Sequence, residues 1–159
     1  MKRPQFCSLL MAWLMVCSDS IVAQQAPDPN TEPAVVLEIP VLEALAIATP
    51  VPSGDAERGR LAFGPCRTCH YPQQFMGHNN GPNLHRIFGK VAGKQSDFAY
   101  YSPGFAAAQF VWTPQLMYAW LENPMAMFPA SSMMSLGIPD PQRRADLIAY
   151  LQLASVREP

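Results

Sequence analysis

The 159-residue chain has room for one domain of ordinary size plus extensions, which excludes a multidomain enzyme. With 14% charged residues and a formal net charge of -1, it offers neither a basic stripe for nucleic acid nor an acidic disordered tail. Proline is the compositional anomaly, at 17 residues, several of them gathered between residues 27 and 52.

Residues 1–23 read as a secretory signal peptide. Lys2 and Arg3 form a charged start, Phe6 to Cys17 an apolar run, and Ile21-Val22-Ala23 a cleavage site. The run is about a dozen residues against the ~20 needed to span a bilayer, so the expectation is export to a periplasm. Membrane contact is then expected only through a partner or an uncleaved leader. Lipoprotein cleavage at Cys17 is disfavoured because Val16 precedes it. Cys7 and Cys17 leave with the leader, the mature chain keeps Cys66 and Cys69, and no disulfide framework remains. Residues 24–53 form a Pro-rich linker or tether with a mostly apolar middle, Ala34 to Ala48. That middle can pack on the domain or on a partner, or make a short helix after Pro40. Glu38, Pro40 and Glu43 argue against a membrane span.

From Gly54 helix punctuation begins. Residues 55–64 predict a first short helix, with Asp55 and Glu57 near its positive end. It leads into Cys66-Arg67-Thr68-Cys69-His70. Two cysteines separated by two residues, with a histidine after the second, read as a c-type haem attachment site. Each thiolate adds across one porphyrin vinyl group, and the adjacent imidazole falls under the iron as an axial ligand. A structural zinc site wants a second Cys or His pair, and a redox CxxC wants a βαβ setting; the chain offers neither. A second helix is predicted from Pro114 to Asn123, with Thr113 as N-cap and Pro124 as its stop. The last opens on Asp140 and Pro141 and carries Leu147, Ile148, Leu151 and Ala154 as one stripe. No period-two strand pattern competes. The fold class is therefore all-α, with short helices and long loops that cover one buried haem.

Several blocks now stand in order: Gly54-Asp55-Ala56-Glu57-Arg58-Gly59, the Cys66–His70 motif, Gly81-Pro82-Asn83-Leu84-His85, Phe88-Gly89-Lys90, Trp112, Leu121-Glu122-Asn123-Pro124 and Arg144 to Leu151. Together they resemble a class I c-type cytochrome, most closely the soluble bacterial forms and their mitochondrial relatives, over about residues 54–155. The cytochrome c domain is accordingly placed at 54–159. The resemblance implies one haem c, bound covalently through Cys66 and Cys69, with His70 as proximal iron ligand and the Pro82 carbonyl holding its imidazole. Of the six methionines after residue 23, any one is by default core filling. The family's Pro and Gly spacing around its ligand is met by Pro129, Met133 and Gly137, which implies Met133 as the sixth ligand and excludes Met134 on register.

The resemblance further implies that Trp112 and either Tyr100 or Tyr101 meet haem propionates, and that Phe63 closes the contact between first and last helices. Lys90 stands where the family usually has a propionate-binding Arg, leaving a point charge in place of a fork. Trp120 stands where a tyrosine is common. His78 and His85 are read as surface or loop-bridging. The lysine ring of the mitochondrial relatives is absent, and nine Lys plus Arg stand against seven Asp plus Glu from Gly54 onward. An apolar docking face including Met125 and Met127 is therefore expected, unless those methionines are buried in the ligand loop. The function implied is that of a monomeric, non-enzymatic, monohaem one-electron carrier. It would act between a redox protein donor and acceptor, such as a dehydrogenase, a cytochrome complex or an oxidase. The rivals are a ligand-binding or peroxidatic haem protein with a labile sixth ligand, and a tethered redox subunit of a larger respiratory complex.

Overall fold

The computed structural model describes residues 39–48 and 50–156; the expected leader and residues 24–38 of the Pro-rich segment lie outside the described residues. The helices are, in order, α1 (Ile39–Ala48), α2 (Ala56–Ala62), α3 (Pro103–Ala107), α4 (Pro114–Glu122), α5 (Pro124–Met127) and α6 (Pro141–Ala154). Two 3-10 turns, Gly64–Thr68 and Gln74–Met76, lie between α2 and α3. An isolated antiparallel bridge joins Val91 to Val111. No helix among the described residues is long and apolar enough to cross a membrane.

Side-chain caps set three of the starts, with Thr113 and Asp140 the two expected as caps and Asp55 a third. The Asp55 carboxylate accepts from the Arg58 N–H at 2.8 Å, and the Thr113 hydroxyl from the Leu116 N–H at 3.1 Å. Asp140 accepts from the N–H groups of Gln142 and Arg143 at 2.9 and 3.3 Å. Pro124 does end α4, but it also opens α5, where Asn123 caps the Ala126 N–H at 3.1 Å. A proline at the first helical position loses only a donor that would have gone unpaired.

α2 and α6 cross at glycine. A Cβ on Gly59 would stand 1.9 Å from the Asp146 carbonyl oxygen, so the two backbones meet only because no side chain intervenes. The Phe63 and Tyr150 rings then pack with centroids 5.4 Å apart, the expected contact between first and last helices. Polar groups lock the same crossing. Arg58 donates from Nε and Nη2 to the two Asp146 carboxylate oxygens at 2.7 and 2.8 Å, and the Asp55 N–H adds a bond at 2.7 Å.

Between α4 and the loops lies an aromatic wall. Phe105, Phe110, Trp112, Trp120 and Phe128 stack or meet edge-on, with centroids 4.8 to 6.4 Å apart. α1, in the apolar middle of the Pro-rich segment, takes two of the options read for that stretch at once: it is a short helix, and it packs on the domain, against α4, burying Leu42 to 2% exposure.

Candidate functional site

α2 runs directly into the 3-10 turn that carries Cys66, and Phe63 is shared between them as cap residue. The turn closes on one carbonyl: Cys66 C=O accepts from the Cys69 and His70 N–H groups at 3.1 and 2.9 Å. Both cysteines are free and half-buried. Burial pushes the Cys66 thiol pKa up.

His70 Nδ1 lies 2.7 Å from the Pro82 carbonyl oxygen. A carbonyl only accepts, so Nδ1 carries the hydrogen and the neutral ring presents a bare Nε2 lone pair. Burial lowers the His70 pKa, and the Pro82 bond opposes it in part. Gly81 makes room for the ring, since a Cβ there would stand 2.3 Å from Cε1. The next residue holds Pro82 in place. Asn83 Nδ2 donates to the Gln73 and Gly77 carbonyls at 2.8 Å each, and its Oδ1 accepts from the His85 N–H at 2.7 Å. The Asn83 N–H donates to His78 Nδ1 at 2.9 Å, leaving His78 Nε2 to donate to the Ser96 carbonyl at 2.8 Å. His78 is thus a loop bridge, as expected, whereas His85 is buried and not a surface residue.

The second candidate ligand sits on the loop between α5 and α6. From residue 131 to 137 exposure alternates, so Met133 is half-buried against the core while Met134 is fully exposed. Serine hydroxyls hold this stretch, Ser131 accepting from the Met133 N–H at 3.1 Å and Ser135 from the Gly137 N–H at 3.2 Å. The loop's far end is fastened to α4. Ile138 N–H donates to the Leu121 carbonyl at 2.7 Å, and Gly137, at φ +86°, lies so close to the Glu122 carbonyl that a Cβ would stand 2.2 Å from its oxygen.

Arg144 completes that fastening from α6. Its guanidinium is 5% exposed, donates from Nη1 to the Ile138 and Pro139 carbonyls at 2.7 and 2.9 Å, and lies 4.5 Å over the Tyr118 ring. Nη2 pairs with Glu122 at 3.3 Å. Sequence reasoning gave this residue no role beyond its place in a family block. The signal was available, because an arginine on the apolar side of a helix needs several acceptors.

The residues expected near propionates fall into two groups. Backbone bonds between Gly89 and Trp112, Trp112 and Lys90, and Ala92 and Phe110, each 2.9 Å, bring Lys90 and the buried Trp112 together. Lys90 Nζ donates to the His85 carbonyl at 2.8 Å and to Gln95 Oε1 at 3.0 Å, using two of its three hydrogens. Burial lowers the Lys90 pKa. Tyr101 is half-buried against Phe98 and Phe105, while Tyr100 is 76% exposed. The expected docking pair is corrected in one member. Met125 is 42% exposed, but Met127 is 4% exposed and belongs to the core, because the single turn of α5 points it inward. Fully exposed Met134 and Leu136 stand on the ligand loop instead.

This donor set fits haem c: two free thiols at attachment spacing, a neutral imidazole with Nε2 bare, and a half-buried thioether on a separate loop. A zinc reading finds no partner, since no group of three or more His, Cys, Asp or Glu among the described residues is placed to hold a metal ion. No protein-family model matches the chain. Curated relatives do. Cytochrome c of Chlamydomonas reinhardtii is 40% identical over 105 residues, covering 65% of this chain and 93% of the relative. Cytochrome c of Ginkgo biloba is 36% identical over 108 residues, covering 67% and 95%. Among solved structures, cytochrome cH from Methylobacterium extorquens superposes with a TM-score of 0.58 at 34% identity, covering 63% of this chain and 99% of its own. Helical fold, donor set and relatives agree, and the chain belongs to the class I c-type cytochromes, electron-transfer proteins with one covalently attached haem c, here with Cys66 and Cys69 as its thiols.

Proposed function

We propose that this cytochrome is an exported one-electron carrier between two larger redox proteins, and that His70 and Met133 are its axial ligands. Residues 1–23 would be removed on export, leaving residues 24–53 ahead of the 54–159 domain. The observation that carries the reading is the alternation in the ligand loop, which turns Met133 toward the core and Met134 to solvent. A sixth ligand held this way favours a closed site over the gas-binding or peroxidatic alternative.

Haem c supplies an iron that gains or loses one electron without bond making. The protein's part is to keep its surroundings fixed. Cys66 and Cys69 tie the group to the turn after α2, and Pro82 fixes the His70 tautomer. Trp112, Tyr101 and Lys90 form the polar side, Trp112 and Tyr101 each presenting a polar tip from a packed aromatic body. Lys90 offers its remaining N–H. Docking uses Met125, Met134 and Leu136, an apolar patch without a basic ring, so encounter is weakly steered.

The test is the ferric absorption spectrum of the holoprotein, read for the weak far-red sulfur-to-iron charge-transfer band. We expect the band in the wild type, its loss in Met133→Ala and its retention in Met134→Ala. A wild type without the band that binds carbon monoxide readily when reduced would reject the closed carrier.

A further inference from the structure

We propose that residues 39–48 and 50–55 form a clasp over α4 and α6 that keeps the Met133 loop shut; this rests on the reading of Met133 as sixth ligand. α1 lies N-terminal to every block that carries the family resemblance, so the clasp's helix is an addition to the cytochrome domain, joined to it through Gly54 and Asp55. Three observations on different residues define it.

First, α4 is buried on more of its circumference than one core face explains. Leu116, Met117, Tyr118, Trp120 and Leu121 are all buried, and at about 100° per residue they spread over roughly 200°, twice the stripe of a one-sided helix. Trp120 faces the aromatic wall and Tyr118 lies under Arg144 of α6. α1 is a further surface against the helix, and its Leu42, 2% exposed, joins the same core cluster. α1 is therefore a third surface packed on α4, beside the aromatic wall and α6.

Second, the chain after α1 is fixed along α6. Val51 packs on the core, and the Ser53 carbonyl accepts from the Gln142 side-chain amide at 3.0 Å. A Cβ on Gly54 would stand 2.1 Å from the Ala145 carbonyl oxygen, and the Asp55 N–H donates to Asp146. One short segment thus runs from a seat on α4 to a seat on α6.

Third, those same two helices hold the end of the ligand loop. α4 gives the Leu121 carbonyl to Ile138 and the Glu122 carbonyl surface to Gly137, while α6 gives Arg144 to the Ile138 and Pro139 carbonyls. Parting α4 from α6 would break one set of bonds or the other and loosen the loop's end, which begins four residues beyond Met133. The clasp opposes that parting.

The experiment uses the full-length holoprotein with Leu42→Asp, which unseats α1, the milder Leu42→Ala, and Ile47→Asp as control, since Ile47 is 88% exposed. Three quantities are read: hydrogen exchange at the α4 amides, the pH at which the far-red band is lost, and the rate of carbon monoxide binding by the reduced protein. For Leu42→Asp we expect about tenfold or more in α4 exchange and in carbon monoxide binding. The band should be lost about one pH unit lower, the equivalent of a tenfold change for a one-proton release. Leu42→Ala should move all three in the same direction by less, and Ile47→Asp none. Should Leu42→Asp fail to fold, Leu42→Ala decides. Unchanged α4 exchange overturns the clasp, as does raised exchange with band and gas binding unmoved, or an equal effect of Ile47→Asp. A wild type without the band, or a Met133→Ala variant that keeps it, instead overturns the ligand reading and the clasp's role with it.

Discussion

Met133 and Met134 are neighbours in the chain, yet one is half-buried against the core and the other fully exposed, the loop turning at Met134 where the Ser135 N–H donates back to the Met133 carbonyl at 3.0 Å. The family spacing selected the first of the pair from sequence. Between the two tyrosines the sequence left open, packing differs: Tyr101 lies half-buried between Phe98 and Phe105, whereas Tyr100 meets Phe98 edge-on and is 76% exposed. Gly81 is the sharpest case at this scale. Because a Cβ at this position would stand 2.3 Å from His70 Cε1, Gly81→Ala must push the imidazole off the Pro82 carbonyl or move the loop. The expected cost is about 1–3 kcal/mol, typical of overpacking, with a shifted reduction potential. Urea unfolding and a redox titration of the holoprotein check it; an unchanged potential with full stability would mean that the ring is not held against Gly81.

Helix starts written as a capping side chain followed by proline, at Thr113 and Asp140, were legible, as was the Asp55 start of α2. Asn123-Pro124 repeats that grammar at α5, and Ser102-Pro103 opens α3 without a side-chain cap bond, but with four and five residues neither helix is long enough to show a helical period. α1 was harder, because an apolar run with Pro40 near its start and Glu43 as its single charged residue has no apolar–polar period to set its phase. Arg144 shows why packing between elements resists sequence reading: its acceptors lie on another helix and a loop. Arg144→Ala leaves the Ile138 and Pro139 carbonyls without that donor, and the expected loss is about 2 kcal/mol or more, with the far-red band lost at lower pH. Arg144→Lys should recover little of this, because an ammonium cannot meet both carbonyls and cover the Tyr118 ring. Glu122→Gln should cost less than about 1 kcal/mol, since that carboxylate is 61% exposed. Urea melts of the three variants separate a positioning guanidinium from a simple ion pair.

Across the whole molecule the charge that matters is placed rather than abundant. The Arg58 guanidinium, with the Asp55 amide, holds the Asp146 carboxyl well below the usual carboxylate range. A depressed carboxyl stabilises the fold fully above its ordinary pKa of about 3.9, and that contribution is lost as pH falls toward the lower folded value. Asp146→Asn should therefore be less stable at neutral pH and should lose less stability than the wild type between about pH 5 and pH 2, as followed by urea unfolding at stepped pH. If Met125, Met134 and Leu136 form the proposed docking surface, the want of a lysine ring predicts a partner on-rate that changes only a few-fold between about 0.05 and 0.5 M salt. A steep fall in stopped-flow rate would reject that surface. The crossing of α2 and α6 has a temporal meaning as well. The bond from Asp55 to Asp146 closes over 91 positions, so a chain growing from its N-terminus at ~5–20 residues per second presents Cys66 and Cys69 for several seconds before α6 exists to shut the fold. Because α6 comes last in chain order, the closure of α2 on it waits until the whole chain is out, and until then both thiols stay reachable.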